Sequence, residues 1–399
     1  MNTTLGLKQN WKQFSLLVLV NAFVGGMVGL ERSIFPRYAE EEFGLNSASA
    51  ILSFIIAFGT TKAITNYLTG RLANRFGRKK LLVIGWIFAL PVPLLLIYAP
   101  SWAWVVGANV LLGINQGLTW SSTVVMKIDL VGPKNRGLAM GFNEFSGYLA
   151  VGLMALLSGW VADVYGVTPY PFYIGLGVAA VGLLMSVLFV RDTSGFVVQE
   201  QVQEQERREN KTNIFMQTSF RHRALSSITQ AGMINNLNDG MMWGLLPMLL
   251  LSLSYDLDQT GILVAIYPTV WGLSQLWTGR LSDLHSKRRL LIIGMAVQGL
   301  AILALPYFNS FSGIAILSII LGLGTAVVYP TFLAAIADKS QPVHRAESIG
   351  AFRMWRDLGY AIGAILSGVL VDSFGLEWAF VVIGGLTMVS AFVIALRWE

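Results

Sequence analysis

The chain alternates between long apolar stretches and short polar segments. Windows of about 20 mostly apolar residues recur twelve times, six before position 192 and six after position 222. A helix of that length crosses the hydrocarbon core of a bilayer and satisfies every backbone group within its own segment. Each window therefore predicts a transmembrane helix. The predicted spans are 12–34, 46–69, 80–99, 101–127, 136–161, 170–191, 223–253, 259–279, 289–307, 311–337, 346–371 and 376–397.

The second six spans repeat the first six. The segment Thr69-Gly70-Arg71-Leu72 returns 209 positions later as Thr278-Gly279-Arg280-Leu281. The same offset pairs Gly113 with Gly322, Asp129 with Asp338, Arg136 with Arg345, and Gly141 with Gly350. A constant register over so long a stretch indicates an internal duplication. We therefore predict two pseudo-symmetric six-helix bundles, 1–191 and 223–399.

A polar linker, 192–222, joins the predicted bundles. Its core from Gln199 to Lys211 is rich in Gln, Glu and Arg, which predicts a solvated helix or a flexible tether. A plain connector is the favoured interpretation, and a regulatory or partner-binding element is the alternative.

Composition indicates an all-α membrane protein. Hydrophobic residues make up 54% and charged residues 13% of the 399 positions, too little polar surface for a water-soluble globule of this size. Of the 28 Lys and Arg residues, 23 fall at one end of the predicted helices. By the positive-inside rule, that end, both termini and the linker are expected in the cytoplasm, with the spans in the cell membrane. No basic stripe with stacking aromatics indicates a nucleic-acid partner.

The loop after the second predicted span carries a specific pattern. It reads Gly70-Arg71-Leu72-Ala73-Asn74-Arg75-Phe76-Gly77-Arg78-Lys79, and a degenerate second copy contains Gly279, Arg280 and Asp283. This pattern resembles the signature loop between helices 2 and 3 of the major facilitator superfamily. The family's acidic position is Asn74 here, whereas Asp283 keeps the carboxylate in the second copy.

The resemblance implies the major facilitator fold, with two bundles around a central cavity in a monomer that works by rocking of its halves. It also implies that the two loops form a gate; the alternative is that their charges only set topology. The expected gating residues are Gly70, Arg71, Asn74, Arg75, Gly77, Arg78, Gly279, Arg280 and Asp283. The drug:proton antiporter branch is unsupported, because its helix 4 arginine is replaced by Gly113 and helix 5 has no Gly-Pro pair.

Polar residues within the spans are the candidate site, because each is costly in hydrocarbon unless it is paired or faces water. The candidate cavity residues are Lys62, Asn66, Asn115, Gln116, Trp120, Asn235, Asn238, Asp239, Arg353 and Arg356. The alternative for several of them is hydrogen bonding between helices. Lys62 could also extend toward the membrane surface.

Three acidic residues within the spans are candidates for proton coupling: Asp357, Glu144 and Asp239. Asp357 is preferred, because the resemblance places helices 2 and 11 at the interface between the halves, where deprotonated Asp357 could pair with Lys62. Glu144 has a simpler alternative role as an ion-pair partner of Lys127 or Arg136.

The sequence favours a transporter over an enzyme. His222, His285 and His344 have no metal-ligand spacing, no nucleophile lies near them, and no phosphate-binding loop indicates ATP hydrolysis. No metal or cofactor is implied. We predict a secondary transporter for a small organic solute with negative or hydroxyl groups, with coupling to protons as one option. The alternatives are a broad-range exporter of apolar compounds and a sensor or assembly protein without transport.

Overall fold

The computed structural model describes residues 4–32, 34–45, 48–197, 213–255 and 257–398, and their regular structure is helical. The core of the linker, from Gln199 to Lys211, lies outside these ranges. The longer helices are α1 (Trp11–Arg32), α2 (Phe35–Phe43), α3 (Ala48–Phe76), α4 (Arg78–Ala89), α5 (Pro91–Ile97), α6 (Trp102–Val131), α7 (Arg136–Tyr165), α8 (Tyr170–Leu188), α9 (Arg223–Ser252), α10 (Leu257–Leu284), α11 (Lys287–Ala304), α12 (Phe311–Lys339), α13 (Arg345–Phe374) and α14 (Leu376–Arg397).

In the described part of the chain, each predicted span coincides with a helix, with three differences in detail. The span 80–99 is divided into α4 and α5, because Pro91 has no N–H to continue the ladder of hydrogen bonds. The short helix α2 was not predicted. Helices α3 and α10 also continue past their predicted ends, since polar residues are compatible with a helix beyond the apolar region.

Among the described residues, eight helical segments are long and apolar enough to cross a membrane. The other four long helices, α3, α6, α9 and α10, have 28 to 30 residues. They include Lys62 on α3 and Asp239 on α9. Candidate residues therefore lie both on these four helices and on the eight, which include Glu144 on α7 and Arg353 on α13.

The chain forms two compact units, each with a short contribution from the other half of the sequence. The first unit comprises Met1–Lys134, Phe142–Glu209 and Pro342–Gly350, and the second comprises Asn135–Gly141, Asn210–Gln341 and Ala351–Glu399. In the first unit α6 packs on α1, α3, α4 and α5, and in the second α12 packs on α9, α10 and α11. The start of α13 thus packs in the first unit, and the start of α7 packs in the second.

Duplicated glycines allow these starting segments to pack closely. In the first unit, a Cβ at Gly70 would lie 2.4 Å from the Ala346 carbonyl oxygen and 2.8 Å from Cα of Gly350. In the second, a Cβ at Gly279 would lie 2.7 Å from the Gly137 oxygen and 2.8 Å from Cα of Gly141. Glycine is needed at both crossings because the helix backbones touch. The residues of one crossing are those of the other displaced by 209 positions.

We expect a pH-dependent contribution to stability from His222, which precedes α9. The Leu225 N–H donates to His222 Nδ1 at 3.2 Å, so the neutral ring caps the helix. Partial burial, followed by the charge of Lys339, lowers the pKa of His222. Because the folded state lowers this pKa, the cap contributes fully above the ordinary value of about 6.5 and is lost as the pH falls through the lowered value.

In detergent unfolding experiments at pH 8, His222→Ala should therefore cost about 1 kcal/mol. The difference from the unchanged protein should disappear under acidic conditions. His222→Asn is the control, since its side-chain oxygen can cap the helix at either pH. A cost for His222→Ala that is the same at both pH values would contradict this role.

Candidate functional site

A buried polar network joins α6 and α7 in the first unit. Glu144 Oε1 accepts hydrogen bonds from Asn143 Nδ2 at 2.7 Å and from Trp120 Nε1 at 3.4 Å. Lys127 Nζ donates to Asn143 Oδ1 at 2.5 Å. Glu144, Asn143 and Lys127 have no exposed surface, and Glu144 Oε2 has no hydrogen-bond partner within the described part of the chain. The amide of Asn143 thus lies between a carboxylate and an ammonium group.

Lys62 lies close to the same network. Its Nζ is 5.4 Å from the centre of the Trp120 ring and 5.5 Å from that of Phe58, distances at which a cation is attracted to an aromatic face. Trp120 therefore contacts both a cation and the carboxylate of Glu144. Lys62 belongs to the first unit and Asp357 to the second, so their pairing stays a prediction.

The three candidate amides of the first unit bond to neighbouring helices. Asn115 Nδ2 donates to the Gly85 carbonyl of α4 at 3.0 Å, and Gln116 Nε2 donates to the Val24 carbonyl of α1 at 2.9 Å. Asn66 Oδ1 accepts from Ser121 Oγ at 2.6 Å. These contacts fit the hypothesis of polar bonds between helices, and a role in solute binding stays a prediction for each.

In the second unit, Asp239 forms a hydrogen bond that the sequence did not indicate. Tyr267 on α10 donates its hydroxyl proton to Asp239 Oδ1, and its ring stacks on Trp271 with a centroid distance of 6.0 Å. Thr325 Oγ1 lies 3.4 Å from the same hydroxyl group. All three polar side chains are buried, so Tyr267 extends the candidate site from α9 to α10 and α12.

The asparagines of α9 divide between two environments. Asn238 Oδ1 accepts from Thr387 Oγ1 at 2.8 Å, and its Nδ2 donates to Gln298 Oε1 at 3.4 Å. This trio connects α9, α11 and α14. Asn235 instead donates to the adjacent Asn236 at 3.4 Å. Asn238 therefore contributes to packing among three helices, and a role in solute binding stays a prediction.

The candidate cations of α13 are buried. Arg353 is 0% and Arg356 3% exposed. Arg356 Nη2 lies 3.1 Å from Asp357 Oδ1, and its guanidinium carbon lies 5.0 Å from the centre of the Tyr329 ring. The structure thus places Arg356 and Asp357, which are adjacent in sequence, in one ion pair beside an aromatic ring.

The internal repeat preserves a set of ion pairs. In the first unit, Asp129 lies 3.2 Å from Arg78 and 3.9 Å from Arg345. In the second unit, Asp338 lies 2.9 Å from Lys287 and 2.7 Å from Arg136. Each member of the first set lies 209 positions from its counterpart in the second. Both aspartates therefore bind one cation of their own half of the sequence and one of the other.

The loop residues make unequal contacts at equivalent positions. Asp283 accepts the N–H groups of Gly137 at 2.7 Å and Leu138 at 2.8 Å, and so binds the first turn of α7. Asn74, its counterpart in the first unit, donates instead to the Val343 carbonyl oxygen at 2.5 Å. Burial raises the pKa of Asp283, which lies past its predicted span, and the two N–H bonds act against that rise.

The other loop residues differ in exposure. Arg78 is buried in the ion pair with Asp129, whereas Arg71 is 58% exposed and 3.9 Å from Glu347. Arg75 lies over the ring of Phe76, and Gly77 precedes α4. Arg280 is exposed. Arg78 and Asp283 thus have the contacts expected of structural groups, and a gating role for the whole set stays a prediction.

These duplicated loops, ion pairs and glycine crossings agree with the comparison to known families. The model of the Major Facilitator Superfamily matches residues 15–230 and again 228–399. The chain belongs to the major facilitator superfamily. It is therefore a multi-pass membrane transporter of a family that carries small-molecule solutes.

Individual relatives agree with this assignment. Multidrug resistance protein MdtG of Salmonella arizonae is 23% identical over 96% of this chain and 94% of its own length. MdtG of Dickeya zeae is also 23% identical with the same coverage. The crystal structure of the human organic anion transporter MFSD10 (TETRAN) covers 96% of this chain and 99% of its own at a TM-score of 0.80. Its sequence identity is 14%, so this likeness concerns the fold.

We expect Asp283 to contribute more to the free energy of unfolding than Asn74, its counterpart 209 positions earlier in the chain. Asp283→Ala should lower the free energy of unfolding by about 1–2 kcal/mol, because a charged helix cap is lost. Asn74→Ala is the matched control, with a smaller expected cost because its single bond is to a carbonyl group. Unfolding in detergent, followed by tryptophan fluorescence, measures both. Equal costs would show that the helix cap contributes little.

Sequence interpretation missed the partners of the candidate residues. Lys127, considered in the sequence as a direct partner of Glu144, is buried and donates to Asn143, which in turn binds Glu144. Tyr267 and Gln298 were not singled out. A tyrosine or glutamine in an apolar span is a weak indication by itself, since either is common in membrane helices as an anchor or as a bond between helices.

Proposed function

We propose that this transporter moves small organic solutes that carry negative or hydroxyl groups, by alternating exposure of a site that includes buried polar residues. The observation that carries the proposal is the burial of Lys127, Arg353 and Arg356 within membrane helices. Ionised groups at such depth are costly and are characteristic of substrate and ion pathways. Cations and amides together suit a carboxylate, a sulfonate or a hydroxyl-rich solute.

Proton coupling by a buried carboxylate is part of the proposal, with Glu144 as the first candidate. Its described contacts are the neutral donors Asn143 and Trp120. Asp357 already has a salt bridge with Arg356, whereas Asp239 also accepts from a neutral donor, Tyr267, and is the second candidate. A carboxylate held by neutral donors exchanges a proton with less rearrangement than one in a salt bridge. This contrast moves Glu144 ahead of Asp357.

We also propose an orientation in the membrane, based on the charge distribution. We place both termini and the basic end of the helices in the cytoplasm, in accordance with the positive-inside rule. We also propose that the chain works as a monomer, because the family fold contains both halves in one polypeptide.

Export of a broad range of compounds is the second candidate function. The full-length relatives named multidrug resistance protein favour it. Apolar or cationic compounds would gain little binding energy from Arg353 and Arg356, whereas these arginines would bind organic anions. The two candidates therefore differ in the charge of the preferred solute.

Transport by purified protein in liposomes tests both candidates. The solutes are a panel of radiolabelled organic anions, sugars and lipophilic cations, assayed with and without a pH gradient of either direction. Saturable movement of anions or hydroxyl-rich solutes supports the first proposal. Movement of lipophilic cations alone supports the exporter. No movement of any solute under any gradient contradicts both.

A further inference from the structure

A cavity of about 470 Å³ lies in the second unit, where α11 begins and α12 and α14 end. Four basic side chains line it: His285, Lys287, Arg288 and Lys339. Ser286 and Trp398 also line this cavity. The cavity lies outside the candidate solute site, among the charges of the basic end.

The basic groups of this cavity exceed its acidic groups. Asp338 is the acidic lining residue, and its carboxylate is already shared by Arg136 and Lys287. Arg288 donates to the Ala395 carbonyl oxygen at 2.6 Å, and Lys339 lies 5.8 Å from the centre of the Trp398 ring. Neither has a carboxylate within 4.0 Å in the part of the chain that the structure describes. Among the described residues, the basic groups of the cavity thus outnumber its carboxylates.

In the first unit, an acidic residue lies at the start of α4, the helix that corresponds to α11. There the carboxylate of Asp192, in the segment after α8, accepts the Lys79 N–H at 2.9 Å. A Cβ at Gly77 would lie 2.9 Å from the same oxygen. Lys79 and Gly77 correspond to Arg288 and Ser286 at the offset of 209.

In the second unit, Ser286 caps α11 with a neutral hydroxyl group, which accepts the Arg289 N–H at 3.5 Å. A hydroxyl group supplies no negative charge. At equivalent positions of the repeat, the first unit therefore has the carboxylate of Asp192, whereas the second has a cavity lined by basic side chains.

We propose that this cavity binds the phosphate group of an anionic membrane lipid, held by Arg288 and Lys339. A volume of about 470 Å³ exceeds the space of a single carboxylate and accommodates a lipid headgroup. Three membrane helices end at the cavity, and Trp398 supplies the aromatic surface that is usual at the headgroup level. Basic pockets between helix ends are suited to such headgroups. Free inorganic phosphate carries the same anionic oxygens, so it is the alternative ligand that the experiment must distinguish from a lipid.

Lipid binding to the full-length protein tests this site without reference to transport. Protein in detergent is titrated with phosphatidylglycerol, phosphatidylcholine or inorganic phosphate, and binding is followed by native mass spectrometry and by the shift in Tm. The variants are Lys339→Gln and Arg288→Gln, with Arg288→Lys to restore the charge. Arg289→Gln is the matched control, because Arg289 is exposed on the same turn of α11 and does not line the cavity.

We expect phosphatidylglycerol to bind in preference to phosphatidylcholine. Each loss of charge should weaken that binding about fivefold, while Arg288→Lys and Arg289→Gln should leave it nearly unchanged. Saturable binding of inorganic phosphate that the same variants weaken would identify the soluble anion as the ligand. Equal effects of Arg289→Gln and Lys339→Gln, or no preference for any anionic ligand, would overturn the proposal.

Discussion

Glu144→Gln is expected to abolish solute movement driven by a pH gradient and to spare exchange of solute between equal pools. Glutamine keeps the size of the side chain and can accept from Asn143 and Trp120, but it cannot bind and release a proton at physiological pH. Gradient-driven uptake should fall to the background of empty liposomes. Counterflow of labelled against unlabelled solute should continue, because the side chain at position 144 keeps its size and its two hydrogen bonds.

The matched control is Asp163→Asn, which removes an exposed carboxylate from the same helix, α7. It should respond to the gradient as the unchanged protein does. A full response in Glu144→Gln would transfer the coupling role to Asp239 or Asp357, tested with Asp239→Asn and Asp357→Asn. A full response in all three variants would place the coupling group elsewhere, whereas no response to the gradient in the unchanged protein would identify a uniporter.

Arg353→Gln is expected to weaken transport of negatively charged solutes by about 10- to 100-fold, the loss typical of one hydrogen bond to a charged group. The effect should appear in KM for anionic solutes and be much smaller for neutral, hydroxyl-bearing ones. Arg353 is the more buried of the two candidate arginines on α13, with 0% of its surface accessible. Liposome uptake with both kinds of solute measures the difference.

Two variants control this result. Arg353→Lys keeps the charge and should recover part of the affinity, while Arg289→Gln removes an exposed arginine and should have no effect. Size-exclusion chromatography checks that each variant is folded. Equal losses for anionic and neutral solutes in folded Arg353→Gln would show that the residue supports the helix bundle and does not recognise negative charge.

The helices of this transporter could be predicted from the sequence because their cause is local. A stretch of apolar residues long enough to cross the bilayer must satisfy its backbone within itself, and a helix does so. The exceptions have local causes too. Pro91 divides one predicted span, and α3 and α10 extend past their apolar regions.

The members of the candidate site were partly visible in the sequence, but their contacts were not. A carboxylate such as Glu144 or Asp239 is conspicuous in an apolar helix because burial is costly. Its partner is set by how each helix is rotated against its neighbours, which periodicity alone does not determine. Tyr267 therefore became part of the site only through packing of α10 against α9.

The sequence by itself determined a duplicated helical membrane protein, since apolar length and a constant offset of 209 are properties of the chain alone. It also paired Asp129 with Asp338 as equivalent positions. Only the tertiary structure decided that Asp129 binds Arg345 and that Asp338 binds Arg136. These partners are about two hundred positions apart in the chain, and their meeting depends on the close crossings at Gly70 and Gly279, where helix backbones touch.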